Sequence, residues 1–544
     1  MPLSINELLN NINALESRVS ELSLEVLCWQ TKCHVQQQEL QAQQQELQAQ
    51  LEELNLYRRK LFGRSAEPHS PQGEVFNEVE AETEAAVDAD APCDDDAGEP
   101  AAADVVDSPI PEGAASGSPE HRKPKKRRPR LPPALPRTEV IVRLPAEEQV
   151  CDCCNQPMHV MGEEVREELE LIPAHVQVTR YVREKYGCRC CEQQGTSGSV
   201  KVAPPVPALF AKSYATPSLV AQIIINKFQF ALPLYRQEAL FAGLDIPLSR
   251  QTQSQWLLKV AERLKPLRAL MQAALLSQEV IFADETPLNV LSQESGQSYM
   301  WLYGTGRDVR DAEDTTPHLV LYDYQDSRSG RCAAEFLAGY RGYLQVDGYA
   351  GYHGTEAKLV GCMAHARRKF EEAQRAQPNA KVGKAVWALS HIQKLYRIEK
   401  ACQGKPAEEI YRRRQAESKP LMEEFARWLA KTEVLPKGYL GKAIGYCQKQ
   451  WPKLMRYLDD GRLAIDNNRA ERAVKPFVIG RKNWLFNNTQ AGAHASALLY
   501  SLVESARING LNQYDYLVAL LTALKSPDDE IDWNALLPWK ITLP

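Results

Sequence analysis

Val280-Ile281-Phe282-Ala283-Asp284-Glu285-Thr286-Pro287 is a short apolar run that stops at two acids. Its composition suits a buried strand, and Pro287 is expected to prevent the strand's continuation inside a sheet, leaving Asp284 at the strand end. Working outward, Tyr299 to Gly304 and Leu319 to Tyr324 read as two further strands, and a short helix is expected around Ala333 to Leu337. Gly342-Tyr343-Leu344-Gln345-Val346-Asp347-Gly348-Tyr349 then delivers a second acid just before a glycine that frees the backbone to turn. A fifth apolar segment, Lys358 to His365, leads into the basic helix Ala366-Arg367-Arg368-Lys369-Phe370. Strand, strand, strand, helix, strand is the pattern of an α/β layer with helices packed on a mixed sheet.

A third acid lies in Ile465-Asp466-Asn467-Asn468-Arg469-Ala470-Glu471-Arg472-Ala473-Val474-Lys475-Pro476. Asp466 or Asn467 is placed to cap a helix that Pro476 is expected to stop, and Asn467, Glu471 and Lys475 share one face of it. An acid at a strand end or on a helix face is ordinarily just solvated. Three in this order, amid basic residues, instead suggest a site for hard divalent cations, which need only a few carboxylates and keep positions open for phosphate and water. Two such ions activate an attacking oxygen and stabilise a leaving one, so cutting and joining of nucleic acid is the leading expectation.

The segments ADETP around Asp284, QVDGYAGY around Asp347, CMAHARRKF from Cys362 and NNRAERAVKPFVIGRKNWLF from Asn467 resemble those of the insertion-sequence-66 family of transposases, and the likeness spans most of the chain. The resemblance implies an RNase H-like core in which Asp284, Asp347 and Glu471 bind two Mg²⁺ ions, with Mn²⁺ able to substitute. The 123 residues between Asp347 and Glu471 read mostly as amphipathic helices, such as Ala385 to Cys402 and Ala407 to Leu429, and resemble the helical insertion that many such transposases carry. Around the triad, Glu285 is expected on the opposite strand face in a supporting role, with Asp323 as the best substitute carboxylate. Cys362 and His365 suit packing and a polar contact better than a metal pair, and His365 can also contact DNA. Arg367, Arg368, Arg469, Arg472, Lys475, Arg481 and Lys482 are expected to contact phosphate, against the simpler reading of a solvated helix face.

Upstream, Cys151-Asp152-Cys153-Cys154 and Cys188-Arg189-Cys190-Cys191 form two Cys-x2-Cys knuckles, a strong signal for tetrahedral zinc. Disulfides compete, but nothing like a secretory signal opens the chain and reducing cytosol disfavours them. The extra thiols Cys153 and Cys190 leave the coordinating member of each adjacent pair open from the residues alone. The family's zinc module carries the outer pairs, which implies Cys151, Cys154, Cys188 and Cys191 as ligands. Val176 to Arg183, lying between the knuckles, alternates as a strand presenting basic groups.

The formal charge of −5 hides an internal separation. Residues 66–120 hold sixteen acids and no Lys or Arg, leaving +11 on the rest of the chain. The acidic tract reads as a disordered linker, and the basic arm that follows, including Arg127, Arg128 and Arg130, suits phosphate or minor-groove contact. Before it, Ile5, Ile12, Val19, Val26, Cys33, Leu40, Leu47, Leu54 and Leu61 recur every seven residues, with Leu8, Leu15, Leu22 and Trp29 as companions. That pattern favours a parallel two-stranded coiled coil and hence a homodimer; the competing reading is a helix packed within its own chain. From Gln36 the companions turn polar and the seam weakens. Past the cysteines, a turn at Gly243 to Pro247 precedes a Ser249-capped helix, a possible recognition helix whose Arg250, Gln251 and Gln253 would meet DNA.

The expected organisation is multidomain α/β: coiled coil 1–65, acidic linker and basic arm 66–137, zinc module 138–204, helical DNA-binding region 205–275, RNase H-like core 276–500 with insertion 371–464, and C-terminal helices 501–544. The expected function is a DDE transposase that binds the terminal inverted repeats of its element, cleaves there and joins the ends to target DNA. An inactive or regulatory DNA-binding protein and a nuclease without strand transfer are the alternatives. The expected setting is the bacterial cytoplasm, at the nucleoid when DNA-bound, with accessory proteins of the same element and no membrane span.

Overall fold

A computed structural model describes residues 5–62, 176–186, 201–293, 297–305, 317–376 and 383–543. Residues 1–87 and 180–544 group into one unit and 88–179 into another, of which only 176–179 are described. In chain order the first elements are α1 (Ile5–Phe62), β1 (Lys185–Tyr186), β2 (Lys201–Val202), α2 (Pro217–Phe228), α3 (Leu234–Ala242), α4 (Arg250–Arg263) and α5 (Lys265–Leu276). The sheet segment follows with β3 (Val280–Leu288), β4 (Ser298–Gly304), β5 (Val320–Gln325), α6 (Gly330–Phe336), β6 (Tyr343–Gln345) and β7 (Lys358–Val360). Next come α7 (Met363–Ala376), α8 (Lys384–Ala401), α9 (Ala407–Arg413), a π turn (Arg414–Ser418), α10 (Lys419–Lys431) and α11 (Tyr439–Met455). The chain closes on α12 (Asn468–Trp484), α13 (Gln490–Ile508) and α14 (Gln513–Ala523).

The five strands lie in the order β5-β4-β3-β6-β7. β3, β4 and β5 are antiparallel neighbours, whereas β3, β6 and β7 run parallel, so the sheet is mixed and consistent with an RNase H-like core. Trp301, Leu302, Tyr303 and Tyr322 are fully buried, as expected of strands covered by helices on both faces. Ile223, Val260, Leu267 and Met271 of α2, α4 and α5 join the same apolar cluster as the sheet and as Phe477, Tyr500 and Leu517 of the last three helices. The region 205–275 therefore shares its core with the strands.

Two expectations built on proline are corrected. Pro287 lies within β3, paired with Tyr299, so Asp284 is in mid-strand rather than at its end. The parallel ladder to β6 stops at Phe282, and beyond it no strand among the described residues pairs with β3 on that side, where a residue without an N–H is tolerated. Pro476 likewise lies inside α12 rather than stopping it. One lost helical bond is outweighed by packing: Val474 and Phe477 are buried, and Tyr322 Oη donates to Ala473 O. A third correction concerns Val176 to Arg183, which forms no strand. Its residues are exposed, Val178 at 94%, and only Lys185–Tyr186 pairs with Lys201–Val202.

The helices from α7 to α11 make a separate apolar cluster around Phe370, Ile392, Phe425, Cys447 and Tyr457. Arg414 fastens it: the buried guanidinium meets both carboxylate oxygens of Glu399 at 2.8 and 2.6 Å and donates to the carbonyls of Tyr457, Asp460 and Leu463. Five donors in a fixed fork are all useful there, which an ammonium could not match. No helix among the described residues is long and apolar enough to cross a membrane.

Candidate active site

The sheet register sorts the acids by face. Asp284, Leu302 and Tyr322 form one cross-strand row, and Glu285, Trp301 and Asp323 the next, so the two rows point to opposite faces. Tyr322 meets α12 and α13, packing near Phe477 and Tyr500, which puts Asp284 on the face that carries Glu471. Asp347 follows β6 by two residues, next to the point where β3 and β6 stop pairing. Glu285 Oε1 accepts from Arg328 at 2.6 Å and its Oε2 from Tyr352 Oη at 2.6 Å, consistent with a supporting role on the other face. Asp323 is bound by Arg268 and Gln325, and so is already engaged elsewhere.

α12 is tied to β3 through Asn467, whose Nδ2 donates to Ala283 O at 2.9 Å. Its backbone N donates to Cys362 Sγ at 3.1 Å, so Cys362 is a buried packing residue with a polar contact. Asn467 stands at the helix N-cap without a side-chain cap bond, while Asp466 Oδ1 accepts from Asn468 N. Glu471, one turn on, lies 3.9 Å from His365 Nδ1 and 3.9 Å from Arg368 Nη2.

Electrostatics link the three carboxylates. Asp284 is held well above the ordinary carboxyl range, first by burial, then by the negative charges of Glu285, Asp347 and Glu471, against one opposing hydrogen bond from Glu285 N at 2.9 Å. Asp347 Oδ1 accepts from Tyr349 N at 2.8 Å. His365 is pushed down to about 4 by burial and then by Arg368, with Asp347 opposing, so it is neutral at pH 7 and forms no ion pair with Glu471. Among the described residues no three acids, histidines or cysteines close on one point as they stand. The donor set nevertheless fits hard divalent ions. Buried polar atoms without a hydrogen-bond partner lie around it: Asn467 Oδ1, His365 Nδ1 and Gln450 Oε1, the last beside the Asp347 turn. Hydrated cations would supply what these atoms lack.

The basic residues differ in exposure and in the contacts around them. Arg472 and Lys482 are exposed, and Lys475 is half-buried on α12. Arg469 lies 5.4 Å over the Phe282 ring, and Arg367 pairs with Glu371 at 3.1 Å. Arg481 is a correction: it turns onto β3, donating to Pro287 O and to Thr286 Oγ1 at 3.1 Å, so its guanidinium braces the strand instead of facing phosphate. Gln253 is another. On α4, which Ser249 caps as expected through Thr252 N, Arg250 and Gln251 are exposed but Gln253 is fully buried and donates to Leu248 O. Cys151, Cys154, Cys188, Cys191, Arg127, Arg128 and Arg130 lie outside the described residues.

Sequence reading missed one wall of the site. Tyr446, Gln450 and Lys453, at i, i+4 and i+7 on α11, line the Asp347 loop: Gln450 Nε2 reaches Gly348 O at 3.4 Å and Lys453 Nζ reaches His353 Nε2 at 2.6 Å. Their spacing marks a shared face, but nothing in the pattern says which loop that face meets.

The helix-flanked mixed sheet defines the class as proteins with an RNase H-like arrangement of strands and helices. The comparisons with known proteins agree. A family model described as "Transposase IS66 family" matches residues 212–495, more than half of the chain. The zinc-finger binding domain of transposase IS66 matches 148–192, the IS66 C-terminal element 501–539, and a model described as "Transposase C of IS166 homeodomain" 49–140. Two uncharacterized proteins of Sinorhizobium fredii are similar. One, y4jD, is 36% identical over 75% of this chain and 81% of its own length; y4qI is 32% identical over 78% and 79%. The chain belongs to the IS66 family of transposases, which implies DNA binding and suggests structural zinc and divalent-metal use.

Proposed function

We propose that this transposase binds the terminal inverted repeats of its element and uses Asp284, Asp347 and Glu471 to hold two Mg²⁺ ions, with Mn²⁺ able to substitute, for DNA cleavage and strand transfer. The observation that supports the reading is geometric: Asn467 Nδ2 ties the start of α12, with Glu471 one turn on, to Ala283 O beside Asp284 at 2.9 Å, and Asp347 follows the point where β3 and β6 stop pairing; the charges of Asp347 and Glu471 accordingly help to raise the Asp284 carboxyl. The bound ions would supply Lewis-acid activation of water and neutralise charge on phosphate. Water attacks the phosphorus at the element end and the bond to the 3′ oxygen breaks, leaving a 5′-phosphate on the flanking DNA; the freed 3′-hydroxyl then attacks a target phosphorus and displaces a target 3′-hydroxyl. Asp284 on β3 and Asp347 in the turn after β6 would hold the ions against which the reacting phosphate is oriented, Glu471 would complete the ligand set from α12, and Asn467 holds α12 against β3. Neutral His365 beside Glu471 offers a hydrogen bond to phosphate without competing as a base.

Around this centre, exposed Arg250 and Gln251 on α4, with Arg472, Lys475 and Lys482 on α12 and Arg367 and Arg368 on α7, contact the DNA backbone. Arg127, Arg128 and Arg130 extend that contact, and Cys151, Cys154, Cys188 and Cys191 hold a structural zinc that folds a module with little core of its own. The leader 1–65, linker and arm 66–137 and zinc module 138–204 act as separate parts, whereas 205–275 and 501–544 share the core of 276–500; the protein works in the cytoplasm as a homodimer joined through α1, and other proteins of the element assist it.

The test is incubation of the full chain with labelled element ends and Mg²⁺ beside Asp284→Ala. Nicking followed by joining, both lost in the variant, is expected. Binding without nicking would sink the enzymatic reading, and nicking without joining would reduce it to a nuclease.

A further inference from the structure

Asp347 lies outside the β ladder, so its position depends on the turn that follows it. One carboxylate oxygen is fixed by Tyr349 N, but the turn itself is held from outside, by α11. At Gly348 an added Cβ would lie 2.9 Å from the Tyr446 ring and 3.4 Å from Gln450 Nε2, so the backbone packs directly on that helix. Gln450 donates to Gly348 O, Lys453 meets His353, and Gly361 N donates to Lys453 O at 2.9 Å. The loop after β6 and the end of β7 are thus both referred to one rod.

That rod is anchored at its other end by the leader helix. The N-cap of α11 is Gly438, which has no side chain to cap with, and the first helical N–H, that of Tyr439, is instead satisfied by Glu52 Oε2 of α1 at 2.9 Å. An added Cβ at Gly438 would lie 3.0 Å from the same oxygen. A carboxylate at a helix N-terminus meets both an orphan donor and the positive end of the helix dipole. From Tyr439 to Gln450 the helix carries this anchor about 16 Å to the Asp347 turn. The docked face of α1 is Gln45, Ala49, Glu52 and Leu56, all partly buried, whereas the seam residues Leu40, Leu47 and Leu54 on the roughly opposite face remain exposed. α1 therefore docks on its own chain without using its seam.

We propose that Glu52, acting through α11, and Gln450 on α11 are positioning residues for Asp347, so that divalent-ion binding at the active site depends on the docked leader helix. The proposal rests on the active-site reading above. Its test is Mn²⁺ binding to the full-length protein, followed by the electron paramagnetic resonance signal of free Mn²⁺, with thermal melting as a check on folding. Glu52→Ala and Gln450→Ala are expected to raise the Mn²⁺ half-saturation about 10-fold, while Glu52→Gln, which keeps an acceptor oxygen, binds as the parent does. Asp347→Ala is the control. If it loses Mn²⁺ binding while Glu52→Ala and Gln450→Ala bind normally, the positioning role is overturned and the active site stands. If Asp347→Ala binds normally, the active-site reading itself fails. Equal losses in Glu52→Gln and Glu52→Ala would overturn the capping contact as the carrier.

Discussion

At the scale of single residues, Asp284 is where function and stability pull apart. Its carboxyl is raised by burial and by neighbouring acids, so the folded chain binds that proton more tightly than the unfolded one. The associated stability is fully present below the ordinary carboxyl range and is lost as pH rises through the folded value. At neutral pH, without divalent ions, Asp284 therefore costs the fold, because the unfolded carboxyl ionises freely there and the folded one does not. Asp284→Asn should abolish cleavage yet stabilise the Mg²⁺-free protein by on the order of 1 kcal/mol at pH 8. The gain should shrink on acidification into the ordinary carboxyl range, where the unfolded chain binds the proton too. Melting curves across pH in Mg²⁺-free buffer check this, and a variant that melts below the parent at pH 8 would contradict it.

At the scale of elements, the exposed side of the sheet is closed by a helix rather than by charge. β5 is an edge strand, and α13 supplies what a sixth strand would: Ser501 Oγ accepts from Tyr322 N at 2.8 Å, and Ser505 Oγ accepts from Val320 N at 3.0 Å and donates to Val320 O at 3.1 Å. Ser505→Ala leaves two buried backbone groups unpaired and should cost about 1–3 kcal/mol for each. Denaturant unfolding would measure it, and a loss below experimental error would mean that water or a shift of α13 replaces the serine. The strands were legible because their runs are short, apolar and ordered. The prolines misled because their effect depends on neighbours: Pro287 is harmless where β3 has β4 on one side and no paired strand on the other, and Pro476 where α12 is held by packing. Gln253 was legible in principle, since it stands three, four and seven residues before Trp256, Leu257 and Val260 on the buried face of α4. Arg481 was not, because only the third dimension brings it to Pro287 O.

At the scale of the whole molecule, α1 resolves a choice that its sequence left open. Its later turns pack on the chain through Glu52, a residue that reads as merely solvated, yet the heptad seam stays uncovered, with Val19 at 62% and Leu54 at 62% exposure. Packing within the chain and pairing with a second copy are thus compatible. The seam carries its own reporter. Cys33 occupies the Ile/Val position of the heptad, whereas Cys28, two residues past Val26, points away from the seam, and both thiols are free and exposed. In a parallel, in-register pair the two Cys33 residues face each other within disulfide reach, roughly 5.5–6 Å between Cα atoms. Mild oxidation should give a covalent dimer that survives Cys28→Ser and disappears in Cys33→Ser on non-reducing gels. Asp in place of Val19 and Val26 should prevent it, because each buried Val lost removes roughly 1.5–3 kcal/mol from the pair. A dimer that persists in Cys33→Ser but not in Cys28→Ser would put the contact on another face of the helix and remove the parallel seam as the route to dimerisation.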